Sequence, residues 1–87
     1  MDAKGRIKFI SEHYPDSLIC DGFDDAVVGI VERYGMNTVV LYNKDKCLKI
    51  MQERDGMTES EAIDFYYYNM VGSYVGEYTP CFAEVWE

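Results

Sequence analysis

Asp21, Asp24 and Asp25 form the densest cluster of carboxylates in the chain. Such side chains can serve as oxygen ligands for a hard cation or as an acid–base pair. Their spacing does not follow the calcium-loop pattern, and no histidine stands near them in sequence. Within Asp21-Gly22-Phe23-Asp24-Asp25 they read first as turn residues whose carboxylates hydrogen-bond their own backbone. A small-molecule-binding protein or small enzyme built on these three is the alternative, and recognition of a partner lies between the two.

Thiol chemistry has few supports. Cys20, Cys47 and Cys81 are widely spaced, and His13 is the only imidazole that could act as their base. The absence of any Cys-x-x-Cys pair argues against zinc-finger and iron–sulfur readings, so no metal and no cofactor are expected. Cys47 reads as a small core residue, and free thiols fit a reducing cytosol.

Aromatic side chains are the third resource. Phe65, Tyr66, Tyr67, Tyr68, Tyr74 and Tyr78 could stack on bases or on a ligand. No Lys or Arg follows Arg54, however, so a phosphate backbone would find no counter-charge there. An aromatic stripe at helical spacing is expected to be mostly core, with Tyr68 facing outward toward a partner. Eight Tyr against four Phe and one Trp suit half-buried positions, since the tyrosine ring packs while its hydroxyl stays wet.

Charge narrows the partners. The formal net charge is −8, and residues 57–87 hold six acidic side chains and no basic one. Direct nucleic-acid binding and docking on anionic membranes are both disfavoured. A partner with a basic surface is favoured through electrostatic steering. Glu59, Glu61 and Asp64 stand at a helix start, where acids interact favourably with the dipole. Joined by Glu77, Glu84 and Glu87, they would make a negative face able to imitate phosphates in a basic groove. No apolar run approaches the ~20 residues of a membrane span. The opening Met-Asp-Ala-Lys lacks the apolar core of a signal peptide.

The elements that must position these residues follow from periodicity. A chain of 87 residues makes one domain and buries only roughly 60–65 % of its unfolded surface. Ala3, Ile7, Ile10 and Tyr14 mark one stripe of an N-terminal helix, although Arg6-Ile7-Lys8-Phe9 also alternates like a strand. Pro15 stops that element. Ala26–Val31 is rich in β-branched residues and predicts a strand; Thr38–Tyr42 predicts a second, and the two an antiparallel hairpin. A helix over 24–34 capped by the aspartates is the rival reading. Asn43 caps a helix over 44–54 with Cys47, Leu48, Ile50 and Met51 on its apolar face. Gly56 supplies a left-handed stop. Thr58-x-x-Glu61 is a capping box for the next helix, whose broad apolar face runs from Ala62 through Ile63, Tyr66, Tyr67, Met70 and Val71 to Tyr74. Thr79-Pro80 ends it, and residues 81–86 can add an edge strand. The fold expected is α+β: a β-hairpin, extendable to a three-stranded antiparallel sheet, packed on an αα-hairpin and the N-terminal helix.

Asp-Gly-Phe-Asp-Asp-Ala-Val-Val-Gly-Ile (21–30), Asp-Gly-Met-Thr-Glu-Ser-Glu-Ala-Ile-Asp-Phe (55–65), Asn69 and Val75-Gly76-Glu77-Tyr78-Thr79-Pro80 resemble a family of small bacteriophage proteins of unassigned function. The resemblance spans about residues 18–82 and names no chemistry. It implies a phage origin and a location in the cytoplasm of an infected bacterial host. With the acidity and the missing catalytic set, it suggests a non-enzymatic accessory protein that binds and inhibits or redirects a host or defence protein, in the manner of an anti-CRISPR-like inhibitor. The partner-binding residues expected are Asp21, Asp24, Asp25, Glu61, Asp64, Tyr68, Glu77 and Tyr78. A structural homo-oligomer, for instance a homodimer covering the aromatic helix, is the remaining reading.

Overall fold

The computed structural model describes residues 1–86. Helix α1 spans Ala3–His13 and is capped by Asp2, whose carboxylate accepts from the Gly5 N–H. Its stripe works as the spacing predicts: Ile10 is buried, and Ile7 and Tyr14 pack against the same core. A short 3₁₀ turn, Asp24–Ala26, leads into strand β1, Val27–Val31. Strand β2 is Val39–Asn43 and pairs antiparallel with β1. The rival helix over 24–34 is therefore overturned; only the turn at 24–26 is helical, and the β-branched run beyond it enters the sheet. A register shift lies between Val27 and Gly29.

Helix α2, Lys44–Asp55, begins where β2 ends, with the Asn43 side chain accepting from the Lys46 N–H. Gly56, in the left-handed region at φ 69°, stops it. Helix α3, Glu59–Phe65, starts at the predicted capping box: Thr58 Oγ1 accepts from the Glu61 N–H, and Glu61 Oε1 accepts from the Thr58 N–H. The α2–α3 pair is the expected αα-hairpin.

Beyond Phe65 the helix widens into a π-helical segment, Tyr66–Val71, and ends at Gly72 rather than at Thr79-Pro80. Ala62, Tyr66 and Met70 are its buried residues. A stripe at four-residue spacing drifts by about 40° per step on an ordinary α-helix. The wider turn keeps Met70 aligned behind Tyr66. The terminal bond, Gly72 N–H to the Tyr67 carbonyl at 2.9 Å, requires close backbone approach. A methyl group built on Gly72 would lie 2.8 Å from that carbonyl oxygen. The early end corrects the expected apolar face: Tyr67 and Val71 are exposed, and Tyr74 stands outside the helix, exposed as well.

Strand β3, Cys81–Ala83, completes a sheet of order β1-β2-β3 but runs parallel to β2, not antiparallel. The reason is the connection. Residues 44–80 separate β2 from β3, and a connection of that length can cross over to a parallel strand, whereas a tight hairpin pairs its strands antiparallel. The strand is also shorter than the run 81–86 suggests. Among the described residues the architecture is a single α+β domain with three α-helices and a three-stranded mixed sheet. Its core joins Ile10, Phe23, Val27, Val40, Tyr42, Cys47, Met51 and Tyr66. Phe82 closes it from β3, stacked on Tyr42 and edge-on to Tyr66, each at 5.6 Å between ring centroids.

Candidate functional site

Helix α3 and its π-helical continuation present Glu61, Asp64 and Tyr68 at helical spacing on their solvent side, where they share a shallow depression with Met57, Phe65 and Asn69. Tyr68 is 84 % exposed, the outward orientation expected of it. Glu61 does two jobs. Its carboxylate accepts from the Thr58 backbone N–H, and that bond holds its pKa below the ordinary glutamate range. Asp64 is exposed and makes no ion pair among the described residues.

The other expected partner-binding residues lie elsewhere. Glu77 accepts from the Asn37 amide at 3.0 Å and lines a concavity with Met36, Val39 and Tyr74. Tyr78 lines another, with His13, Tyr14, Asp16 and Asn37. Glu84 is neutralised: Lys44 Nζ donates to it at 3.0 Å, and the Trp86 indole donates at 2.8 Å. Those two donors, the indole first, pull the Glu84 pKa down. Glu87 lies outside the described residues. The single negative face expected of these acids is thus corrected to one compact patch on α3 and separate, partly bonded acids.

Asp21, Asp24 and Asp25 are all exposed in the predicted turn. The main chain closes that turn, through Phe23 N–H to the Cys20 carbonyl and Ala26 N–H to the Phe23 carbonyl. Arg54 braces it by donating to the Gly22 carbonyl at 2.8 Å while its guanidinium lies 5.0 Å from the Phe23 ring. Among the described residues the three carboxylates make no side-chain hydrogen bond, which corrects the expectation that they would bond their own backbone. Nor, among the described residues, do any three His, Cys, Asp or Glu side chains gather as a metal-holding group.

Two of the thiols, Cys20 and Cys47, are held away from the thiolate form. Burial pushes the Cys47 pKa up to about 12 and raises that of Cys20, against a lowering hydrogen bond from Tyr42. A raised thiol pKa works against nucleophilic chemistry. His13 packs tilted against Phe9, 4.2 Å between ring centroids, at the exposed end of α1, in a concavity without a cysteine.

Sequence reasoning missed an apolar groove beside the acidic depression. A groove of about 430 Å³ runs between the Leu18–Phe23 segment, the end of α3 and the C-terminal arm. Leu18, Phe23, Phe65, Met70, Val75 and Phe82 give it its apolar lining, and Asn69, Ser73 and Thr79 its polar points. The arm is built to hold Val75 there. Thr79 Oγ1 accepts from the Val75 N–H at 2.9 Å and donates to the Gly76 carbonyl at 2.7 Å, closing a turn around Gly76 at φ 113°. Phe65 and Asn69 line both this groove and the acidic depression, so the two adjoin at those residues. The traces in the sequence were the apolar run Leu18-Ile19-Cys20 and the interruption of the aromatic run by Gly72 and Gly76.

Compared with protein-family models, with curated proteins and with solved structures, the chain shows no significant match. No helix among the described residues is long and apolar enough to cross a membrane.

Proposed function

We propose that this protein is a non-enzymatic bacteriophage accessory protein that binds a basic host protein and inhibits or redirects it in the cytoplasm of the infected cell. The observation that carries the reading is the α3 face: Glu61, Asp64 and exposed Tyr68 side by side, in a chain with no Lys or Arg beyond Arg54. Uncompensated carboxylates beside an exposed tyrosine match an interface in which charge steers the encounter and an aromatic side chain anchors it. A defence or nucleic-acid-handling protein fits as the partner class, because a groove that holds phosphates is basic. The phage resemblance supports that context. None of the carboxylates of Asp21, Asp24 and Asp25 lines the groove or the acidic depression.

The test is affinity capture from infected cells, at low and at raised salt, with the native chain and with Asp64→Lys and Tyr68→Ala. Asp64 is the cleaner reversal, since Glu61→Lys would also dismantle the cap. The expected result is a basic protein retained at low salt, released as salt rises, and lost with Asp64→Lys. Equal capture by Asp64→Lys at low salt would make the acidity a solubility device and end the proposal.

A further inference from the structure

The groove beside the acidic patch has no occupant among the described residues, and its rim is apolar. Leu18, Phe65 and Val75 line it while remaining 41 %, 40 % and 59 % exposed. Its volume, about 430 Å³, lies in the roughly 300–1,000 Å³ range of clefts that take a ligand. At Phe65 and Asn69 the lining adjoins the depression holding Glu61 and Asp64. Arg54 lies over the lining residue Phe23, and it is committed to Asp55 at 2.8 Å and to the Gly22 carbonyl. The groove thus combines an apolar floor with an uncompensated negative margin. A second copy of this chain is a poor occupant, since it would bring another net charge of −8 to the same margin.

Resting on the partner-binding reading above, we infer that the groove between Leu18–Phe23, the end of α3 and the Val75–Phe82 arm receives a short segment of the same partner, one with apolar anchor residues on one face and Lys or Arg beside them. The anchors enter between Phe65, Val75 and Phe82. The flanking cations meet Asp64 and Glu61. Recognition of amphipathic segments by apolar grooves follows this division, with anchors one helical turn apart and charges at the edge. Tyr68, in the acidic depression, packs against the stem of a flanking Lys or Arg.

Synthetic peptides provide the probe. One carries two leucines a helical turn apart, flanked by lysines. A second replaces the leucines with alanine. A third has the composition of the first with the leucines on opposite faces. Binding is read by isothermal calorimetry and by amide shifts in two-dimensional NMR. The expected result is affinity that falls roughly tenfold for each anchor removed, the factor matching burial of one apolar side chain. Shifts should concentrate at Leu18–Cys20, Phe65–Ser73 and Val75–Phe82. Leu18→Gln and Val75→Gln, two surface changes on opposite walls, should each erase the preference for the leucine peptide while its salt dependence stays. Equal binding of all three peptides, still weakened by salt, would overturn the groove and leave the acidic face standing. Binding indifferent to both salt and anchors would overturn both readings. Sedimentation showing a dimer that Val75→Gln dissociates would assign the groove to a second copy and also overturn the inference.

Discussion

The β2–α2 corner, Val39–Asp55, and the C-terminal arm, residues 72–86, use apolar side chains in opposite ways. In the corner, Val40, Tyr42, Cys47 and Met51 are fully buried. In the arm, Tyr74, Val75, Val85 and Trp86 are exposed, and Phe82 is the side chain that packs on the core. Burial holds the corner. Polar clasps at the surface hold the arm: Lys44 to Glu84, Asn37 to Glu77, and Thr79 to Val75 and Gly76. Apolar content alone does not separate the two regions. What separates them is whether a neighbouring element covers the side chain. The region left uncovered is the one that lines the groove.

The sharpest way to break this comparison is to cut one large side chain from each region. Met51→Ala should cost ~2–5 kcal/mol, since it empties a fully buried site. Trp86→Ala should stay within ~0.5 kcal/mol, as an exposed substitution does. Chemical denaturation of both measures the contrast; equal losses would mean the arm is as much core as the corner. Next in size is Gly72→Ala. The added methyl meets the Tyr67 carbonyl, a backbone atom that cannot swing aside, and should cost ~1–3 kcal/mol with loss of the π turn. Thr58→Ala follows at ~0.5–2 kcal/mol, through loss of the capping box. An unchanged denaturation midpoint would place the start of α3 elsewhere.

The corner was legible in the sequence because its cues are local. Asn43, Gly56 and the Thr58–Glu61 pair fix both helix starts and the stop between them within a few residues. The β-branched runs place β1 and β2 to within a residue. The arm was not legible because its cues are remote. Glu84 meets Lys44, forty positions away, and β3 reaches its parallel place only through the two-helix crossover. The helix end at Gly72 was hidden for another reason: Tyr74 and Val75 continue an apolar pattern that the backbone has already left. Of the candidate site, Glu61, Asp64 and Tyr68 were readable from helical spacing. The groove needed three distant segments brought together.

The smallest expected effect lies in the clasp between the two regions. Lys44 leaves the start of α2 and donates to Glu84 and to the Tyr67 hydroxyl, so it ties the corner to the arm. Lys44→Met should leave the global midpoint nearly unchanged, because an ion pair whose Glu84 side is open to solvent contributes little. The Cys81–Ala83 amides should nevertheless exchange faster, since local opening of the arm no longer breaks a bond to α2. Acid should imitate the mutation in the native chain. The indole of Trp86 and the ammonium of Lys44 hold the Glu84 pKa below its ordinary value. The clasp's contribution is therefore complete above the ordinary glutamate range and is lost as pH falls through the depressed folded value. Lys44 itself, its pKa raised by the bonds to Tyr67 and Glu84, stays charged throughout that range. Hydrogen exchange at β3, followed at neutral and at acidic pH, should thus show acid loosening in the native chain and a much smaller change in Lys44→Met. Were the mutant to loosen as much as the native protein on acidification, the clasp would not be what joins the arm to the corner. The difference between the two regions would then rest on packing around Phe82 alone.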